Sequence, residues 1–358
     1  MNHSDMHTPD SCEQFYPENI SKWKSIAELL QAARRVFITT HVNPDGDALG
    51  SEIALARFLA KLGKPVRIVN TSKTPAMYAF LDPGNLIESY ELLGRSLFHD
   101  QPGKNDLIVI LDLSDFERIG DVSGFLLRNN ARRVIIDHHE SEPEEADITV
   151  LTPYAESTGS LVYDLLLSMD HAHIDIPIAE AVLTAVLTDT GYFSFSNTNS
   201  TSLGVVSSLY KFGVSVHSLR KRIDATQPLA RQKLLGLCLG EADLACRGRV
   251  AWSYISTEMF RKSGTAREHT EGIINLLRVI EGISIAVLFI QDGPLEWKIS
   301  FRSATGIRVN AIAAQMGGGG HEKAAGASLS GTLPEVTEKA FAIIEQALDS
   351  EEASLGKT

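Results

Sequence analysis

Four short runs, residues 36–38, 66–69, 107–111 and 134–136, are almost wholly apolar, and polar residues bound each of them. A strand that is apolar on both faces must be covered on both, the condition of a parallel sheet inside an α/β domain. Between the first two runs, Leu49, Ile53, Ala56, Leu59 and Leu62 recur at helical spacing, and Gly63 with Pro65 ends the helix. This alternation predicts an α/β fold whose first domain, residues 20–199, is a doubly wound, mainly parallel sheet.

The pattern then changes. Residues 200–243 read as a helical connector, with Leu203, Val206, Leu209 and Phe212 on one helix and residues 229–239 forming another. Strand-like runs follow at 250–255, 283–290 and 295–301, with Asp292, Gly293 and Pro294 as a turn, and helical stretches at 269–280 and 309–316. They predict a smaller α/β domain over residues 244–350, with the active site in the cleft between the domains, a flexible tail at 1–19 and a tail at 351–358. A chain of 358 residues is long enough to bury two cores.

Charge and composition exclude several functions. The net charge is −12, from 33 basic and 45 acidic residues, and no basic stripe is visible. Binding to long polynucleotides draws on such a stripe, so long duplex nucleic acid is not an expected partner. The apolar runs fall short of the roughly 18 residues that cross a bilayer, so no membrane association is expected. Residues 1–18 do not resemble a signal peptide. Cys12, Cys238 and Cys246 show no paired spacing, which predicts neither a disulfide framework nor a thiolate zinc site and suits the reducing cytoplasm.

Acidic and imidazole side chains collect where apolar runs end. Asp45 and Asp47 follow His41, Asp112 ends the run 107–111, Asp137 with His138 and His139 ends 134–136, and Asp189 closes the apolar stretch 181–188. Taken alone, each aspartate is a turn former or helix cap, Asp47 for the helix beginning at Ala48. Together they fall on the carboxyl edge of a parallel sheet, where ligands bind. So many carboxylates share one place only when cations neutralise them. Oxygen-rich ligands with a few imidazoles and no thiolate predict two divalent metal ions, Mn²⁺ in preference, with Mg²⁺ or Co²⁺ as alternatives. A pair about 4 Å apart activates water and stabilises both oxygens in phosphoryl transfer.

These motifs, in this order, resemble the DHH phosphoesterase superfamily. Asp137-His138-His139 is the motif for which it is named, HVNPDGDALGS from His41 to Ser51 matches its HxxxDGDxxGS signature, and Thr188-Asp189-Thr190-Gly191 matches its late TDTG. GGGGHEKAAG from Gly317 to Gly326 resembles the DHH-associated domain. The likeness is greatest to the nanoRNase and pAp-phosphatase group. It implies that His41, Asp45 and Asp112 hold one metal and that Asp47, Asp112, His138 and Asp189 hold the other, with Asp112 bridging. It also implies that His139 lies beside the substrate phosphate or behind the metal ligands and that Asp137 orients the histidines, so that Asp112, Asp137, His138 and His139 form the catalytic set. The implied activities are hydrolysis of short RNA oligonucleotides to 5′-mononucleotides and removal of the 3′-phosphate of a nucleotide bisphosphate, adenosine 3′,5′-bisphosphate. A dinucleotide phosphodiesterase, a RecJ-like exonuclease and a nucleotide sensor without turnover are the rival readings, and a homodimer is left open.

In the second domain, alternation along residues 296–303 puts Trp297, Ile299 and Phe301 on one face and Lys298, Ser300 and Arg302 on the other. The resemblance places Arg302, with Ser303 beside it, at the phosphate or nucleotide end of the cleft. Gly319, Gly320 and His321 are expected on the far phosphate or sugar, through exposed backbone amides. Arg118 and Arg278 suit either a phosphate or a surface salt bridge, and Arg118 is kept among the candidate substrate contacts.

Overall fold

The computed structural model describes residues 14–355 apart from 141, 225–227 and 271. The chain divides into two compact units between residues 226 and 227. The division falls inside the stretch read as a connector.

The first unit is built on six strands, β1 (Val36–Thr39), β2 (Val66–Asn70), β3 (Ile87–Ser89), β4 (Leu107–Leu111), β5 (Arg132–Asp137) and β6 (Ile148–Leu151). Every pairing is parallel and the order is β3-β2-β1-β4-β5-β6. Its α-helices are α1 (Ile20–Ala32), α2 (Gly46–Lys61), α3 (Tyr90–Leu93), α4 (Ser123–Leu127), α5 (Thr158–Asp170), α6 (Ile176–Asp189), α7 (Ser200–Tyr210) and α8 (Val216–Asp224). The apolar runs explain themselves here, because successive residues of one strand serve opposite cores. Val36, Ile38, Val109, Leu111, Val134 and Ile136 join the core under α1, α2, α5 and α6. Phe37, Ile108, Ile110 and Ile135 join the core on the other face. Each such side chain, fully buried, contributes about 1.5–3 kcal/mol. The strand order reverses direction between β1 and β4, and an open parallel sheet forms its ligand crevice at that switch.

The structure corrects one element behind the site. The stretch 181–188 is part of α6, so Asp189 comes from a helix C-terminus and not from a strand end. Asp175 caps this helix through Ile178 N and Pro177 occupies its first turn, the signals that start a helix. Close packing of α2 on α6 then brings Asp47 towards Asp189. A Cβ on Gly50 would lie 2.4 Å from Ala181 O, and one on Gly46 would lie 2.5 Å from Thr188 Oγ1. The glycines of the DGDALG segment therefore set this helix contact.

The second unit has strands β7 (Asp243–Ala245), β8 (Val250–Ile255), β9 (Ile285–Gly293), β10 (Glu296–Ser303), β11 (Gly319–His321) and β12 (Ala324–Ser330) in the order β11-β12-β10-β9-β8-β7. β8 and β9 are parallel and the other pairs antiparallel. Its helices are α9 (Leu229–Gly240), α10 (Thr257–Ser263), α11 (Ile273–Arg278), α12 (Val309–Gln315) and α13 (Leu333–Leu355). β10 buries Trp297, Ile299 and Phe301 and leaves Lys298 exposed, as its alternation requires. Two expectations change. The helix read over 269–280 is the shorter α11, preceded by one 3-10 turn, and α13 continues past residue 350 to Leu355. Part of the glycine run is itself a strand. A Cβ on Gly318 would lie 2.1 Å from Gly326 O and one on Gly320 2.7 Å from Ala324 O, so pairing with β12 already accounts for glycine at both places. Among the described residues no helix is long and apolar enough to cross a membrane.

Candidate metal centre

Three loops and two helix ends converge at the carboxyl edge of the first sheet. His41 and Asp45 follow β1, Asp112 follows β4, Asp137 ends β5 with His138 and His139 behind it, Asp47 lies in the first turn of α2 and Asp189 ends α6. Three groups of ligand atoms each fall within 4.8 Å of one another: His41, Asp45 and Asp112; Asp47, His138 and Asp189; and Asp112, His138 and His139. The six residues read from the sequence as metal ligands thus meet at one place, together with Asp137 and His139.

Asp112 joins the groups. Its Oδ2 lies 3.4 Å from His41 Nε2, and its Oδ1 lies 3.7 Å from His138 Nε2. Its two oxygens face different imidazoles, the arrangement a bridging carboxylate needs. The residue itself has φ +62°, a left-handed conformation that strains the backbone outside glycine and recurs at functional sites. Asp45, not Asp47, caps α2: its Oδ1 accepts from Asp47 N at 3.0 Å and Ala48 N at 3.1 Å. Asp47 is instead held from across the fold. Its Oδ2 accepts from Thr158 N at 2.7 Å and its Oδ1 from Gly159 N at 2.8 Å, the first amides of α5. A helix N-terminus favours a carboxylate through these unpaired amides and its dipole. Thr158 also donates from Oγ1 to Asp112 Oδ1 at 3.0 Å.

The imidazoles test whether a cation fits. His41 Nδ1 is 2.9 Å from Val42 O and His138 Nδ1 is 3.1 Å from Ala155 O, so each ring donates from Nδ1 to a carbonyl. That tautomer leaves a lone pair on Nε2. His138 Nε2 then faces Asp47 Oδ2 at 3.6 Å and Asp189 Oδ2 at 3.5 Å, and among the described residues His41 Nε2 is buried with no hydrogen-bond partner. Lone pairs aimed at carboxylates repel unless a cation stands between them, so the donor set fits divalent metal. The acids report the same crowding. Burial, with Asp112 and Asp45 adding to it against the pull of His138, pushes Asp189 up to about 7. Burial and the charges of Asp112 and Asp189 hold Asp47 well above the ordinary range. Burial would raise Asp112 as well, but positive charge beside His41, then at His138 and His139, outweighs it and holds Asp112 down, the compensation a cation among these groups would supply.

Asp137 has the orienting place expected of it. Its Oδ1 accepts from His139 Nδ1 at 2.7 Å and from the amides of His138 and His139 at 2.8 and 3.1 Å. Burial alone would lower His139, but the bond to Asp137 and the charge of Asp112 raise it to about 9. Arg118 stands close enough for its charge to oppose that rise. Arg302, Ser303, Gly319, Gly320 and His321 belong to the second unit, and the His321 side chain lies outside the described residues. Burial, then the charge of Arg278, lowers Arg302. Sequence reasoning missed Thr158 and Gly159. Ser157-Thr158-Gly159-Ser160 reads locally as a capped helix start, and nothing in it says which carboxylate its amides will meet.

This fold and site define a class of metal-binding hydrolytic domains, and the comparisons name it. The DHH family N-terminal domain matches residues 35–188 and the DHHA1 domain matches residues 248–350. The chain belongs to the DHH family. It is 32% identical over 336 residues to a protein of Thermus thermophilus named bifunctional oligoribonuclease and PAP phosphatase NrnA, covering 93% of this chain and 96% of that one. A Bacillus subtilis protein of the same name is 26% identical over 296 residues, covering 82% and 89%. A crystal structure of an exopolyphosphatase-related protein from Bacteroides fragilis superposes with a TM-score of 0.84 at 27% identity, covering 94% of this chain and 98% of that one.

Proposed function

We propose that this chain is a two-metal phosphoesterase that hydrolyses short oligoribonucleotides to 5′-mononucleotides and removes the 3′-phosphate of adenosine 3′,5′-bisphosphate. The observation that carries the reading is Asp112, whose two oxygens face separate His/Asp groups. The names of the Thermus and Bacillus relatives support the substrates. His41, Asp45 and Asp112 would hold one cation, and Asp47, Asp112, His138 and Asp189 the other, with Mn²⁺ the preferred ion. The cations supply Lewis acidity towards the phosphoryl oxygens and lower the pKa of an attacking water.

The chain's own groups do the rest. The α5 amides fix Asp47 and the Thr158 hydroxyl fixes one oxygen of Asp112, so these ligands need no reorganisation as charge develops. Asp137 holds His139 by Nδ1 and favours its protonated form, whose Nε2–H would donate to a substrate phosphate oxygen. Arg302, with Ser303, Gly319, Gly320 and His321, is the proposed holder of the rest of a short substrate, and Arg118 a further phosphate contact. Both activities suit an acidic protein that grips phosphate locally. Incubation with Mn²⁺ and an end-labelled RNA dimer should yield mononucleotide, and adenosine 3′,5′-bisphosphate should release inorganic phosphate. No product from either substrate would overturn the proposal.

A further inference from the structure

Asn197 lies eight residues beyond Asp189 in sequence and back against it in space. Its Nδ2 is 3.1 Å from Asp189 O, 3.4 Å from Asp189 Oδ2 and 3.1 Å from Glu156 O. Three acceptors around one atom fix which end of the amide is nitrogen, because an oxygen there would face two carbonyls and a carboxylate. Asp189 is the last residue of α6, so its carbonyl has no partner within the helix and its side chain sits where helices fray. Glu156 immediately precedes Ser157, the N-cap of α5. One amide therefore ties the end of α6 to the start of the helix that holds Asp47.

The chain takes an unfavourable path to put Asn197 there. Gly191, Tyr192 and Phe193 have φ of +54°, +56° and +67° in succession. Bulky aromatic residues adopt this conformation only when their surroundings impose it, and such outliers gather at functional sites. Among the described residues Asn197 Oδ1 is buried with no hydrogen-bond partner, so the amide is held through its nitrogen alone.

We propose that Asn197 is a positioning residue for Asp189, setting the cation site shared by Asp47, His138 and Asp189 while leaving the His41–Asp45 side untouched. The inference rests on the two-metal reading. Losing an outer partner of a ligand costs about 10–100-fold in metal affinity. The test is calorimetric titration of metal-stripped protein with Mn²⁺, with Mn²⁺ electron paramagnetic resonance alongside, on wild type and Asn197→Ala held well below their unfolding temperatures. Two binding events are expected for wild type. In the variant one event should weaken by about 10–100-fold with the other unchanged. The spin-coupled signal should vanish at stoichiometric Mn²⁺ and return in excess, and the reaction should recover with it. Equal affinities in the two proteins, or equal weakening of both events, would overturn the role of Asn197. A wild type that binds no Mn²⁺ would instead overturn the metal reading. If circular dichroism shows Asn197→Ala unfolded, Asn197→Asp takes its place. It keeps the shape and turns the donor into an acceptor facing Asp189, so selective weakening is again expected, and unchanged or tighter binding refutes the proposal.

Discussion

Gly159→Ala should damage the metal centre from outside it. A Cβ at Gly159 would lie 2.2 Å from the Ala185 Cβ of α6, with Asp47 Oδ1 at 3.3 Å and Ser51 Oγ at 3.5 Å. The last two contacts can be absorbed, but two non-bonded carbons need ~3.6 Å, so the start of α5 must move by about 1.4 Å. The Gly159 and Thr158 amides reach Asp47 at 2.8 and 2.7 Å, and a displacement of that size takes at least one beyond hydrogen-bond range. Overpacking alone costs about 1–3 kcal/mol of stability. Loss of an orienting partner should weaken Mn²⁺ binding by about 10–100-fold. Urea unfolding in chelator measures the first effect and Mn²⁺ titration the second. Ala185→Gly costs about 1 kcal/mol by itself in a helix interior. In the Gly159→Ala/Ala185→Gly double variant it should remove the clash, so the double-mutant cycle should show favourable coupling and Mn²⁺ affinity should recover. Zero coupling together with unchanged Mn²⁺ affinity in Gly159→Ala would refute the reasoning.

Other consequences are simpler. Asp137→Asn removes the carboxylate that holds and charges His139, so kcat should fall by about 10–100-fold with Mn²⁺ binding nearly kept, as steady-state kinetics and titration can check. Arg302→Ala should raise KM for an RNA dimer by about tenfold or more, the loss of a charge-assisted phosphate contact, and an unchanged KM would remove Arg302 from the substrate site. Asp106 is buried and accepts from Arg34 Nε and Arg35 Nε at 3.0 Å each and from Gly103 N at 2.8 Å. Burial would raise its pKa, but these donors outweigh it and hold the group below the ordinary value of 3.8. The stabilisation is therefore complete above that value and lost as pH falls through the lower folded value. Asp106→Ala, which leaves Arg35 with only Asp100 and the Gln101 carbonyl, should cost about 1–3 kcal/mol at neutral pH and remove this part of the acid sensitivity in unfolding curves.

Much of this was written locally. The all-apolar runs dictated a parallel sheet because each strand splits its side chains between two cores, and the residues ending those runs had to meet at one edge. Asp189 reached the same edge by another route. Its apolar stretch is equally hydrophobic as helix or strand, and only Asp175 and Pro177 upstream reveal the helix. Thr158, Gly159 and Asn197 were silent because their roles are tertiary. A capped helix start and an asparagine in a polar loop carry no mark of the carboxylate they will meet. The glycines from 317 to 320 were read as a ligand cradle, and two of them have a packing reason in the β11–β12 pairing that hydropathy cannot show.

The central claim is that Asp112 lies between two cations. Anomalous diffraction at the manganese edge from crystals grown with Mn²⁺ tests it most directly. Two peaks should appear about 4 Å apart. One should lie among His41, Asp45 and Asp112 and the other among Asp47, Asp112, His138 and Asp189. A single peak, or peaks that do not share Asp112, would contradict the account.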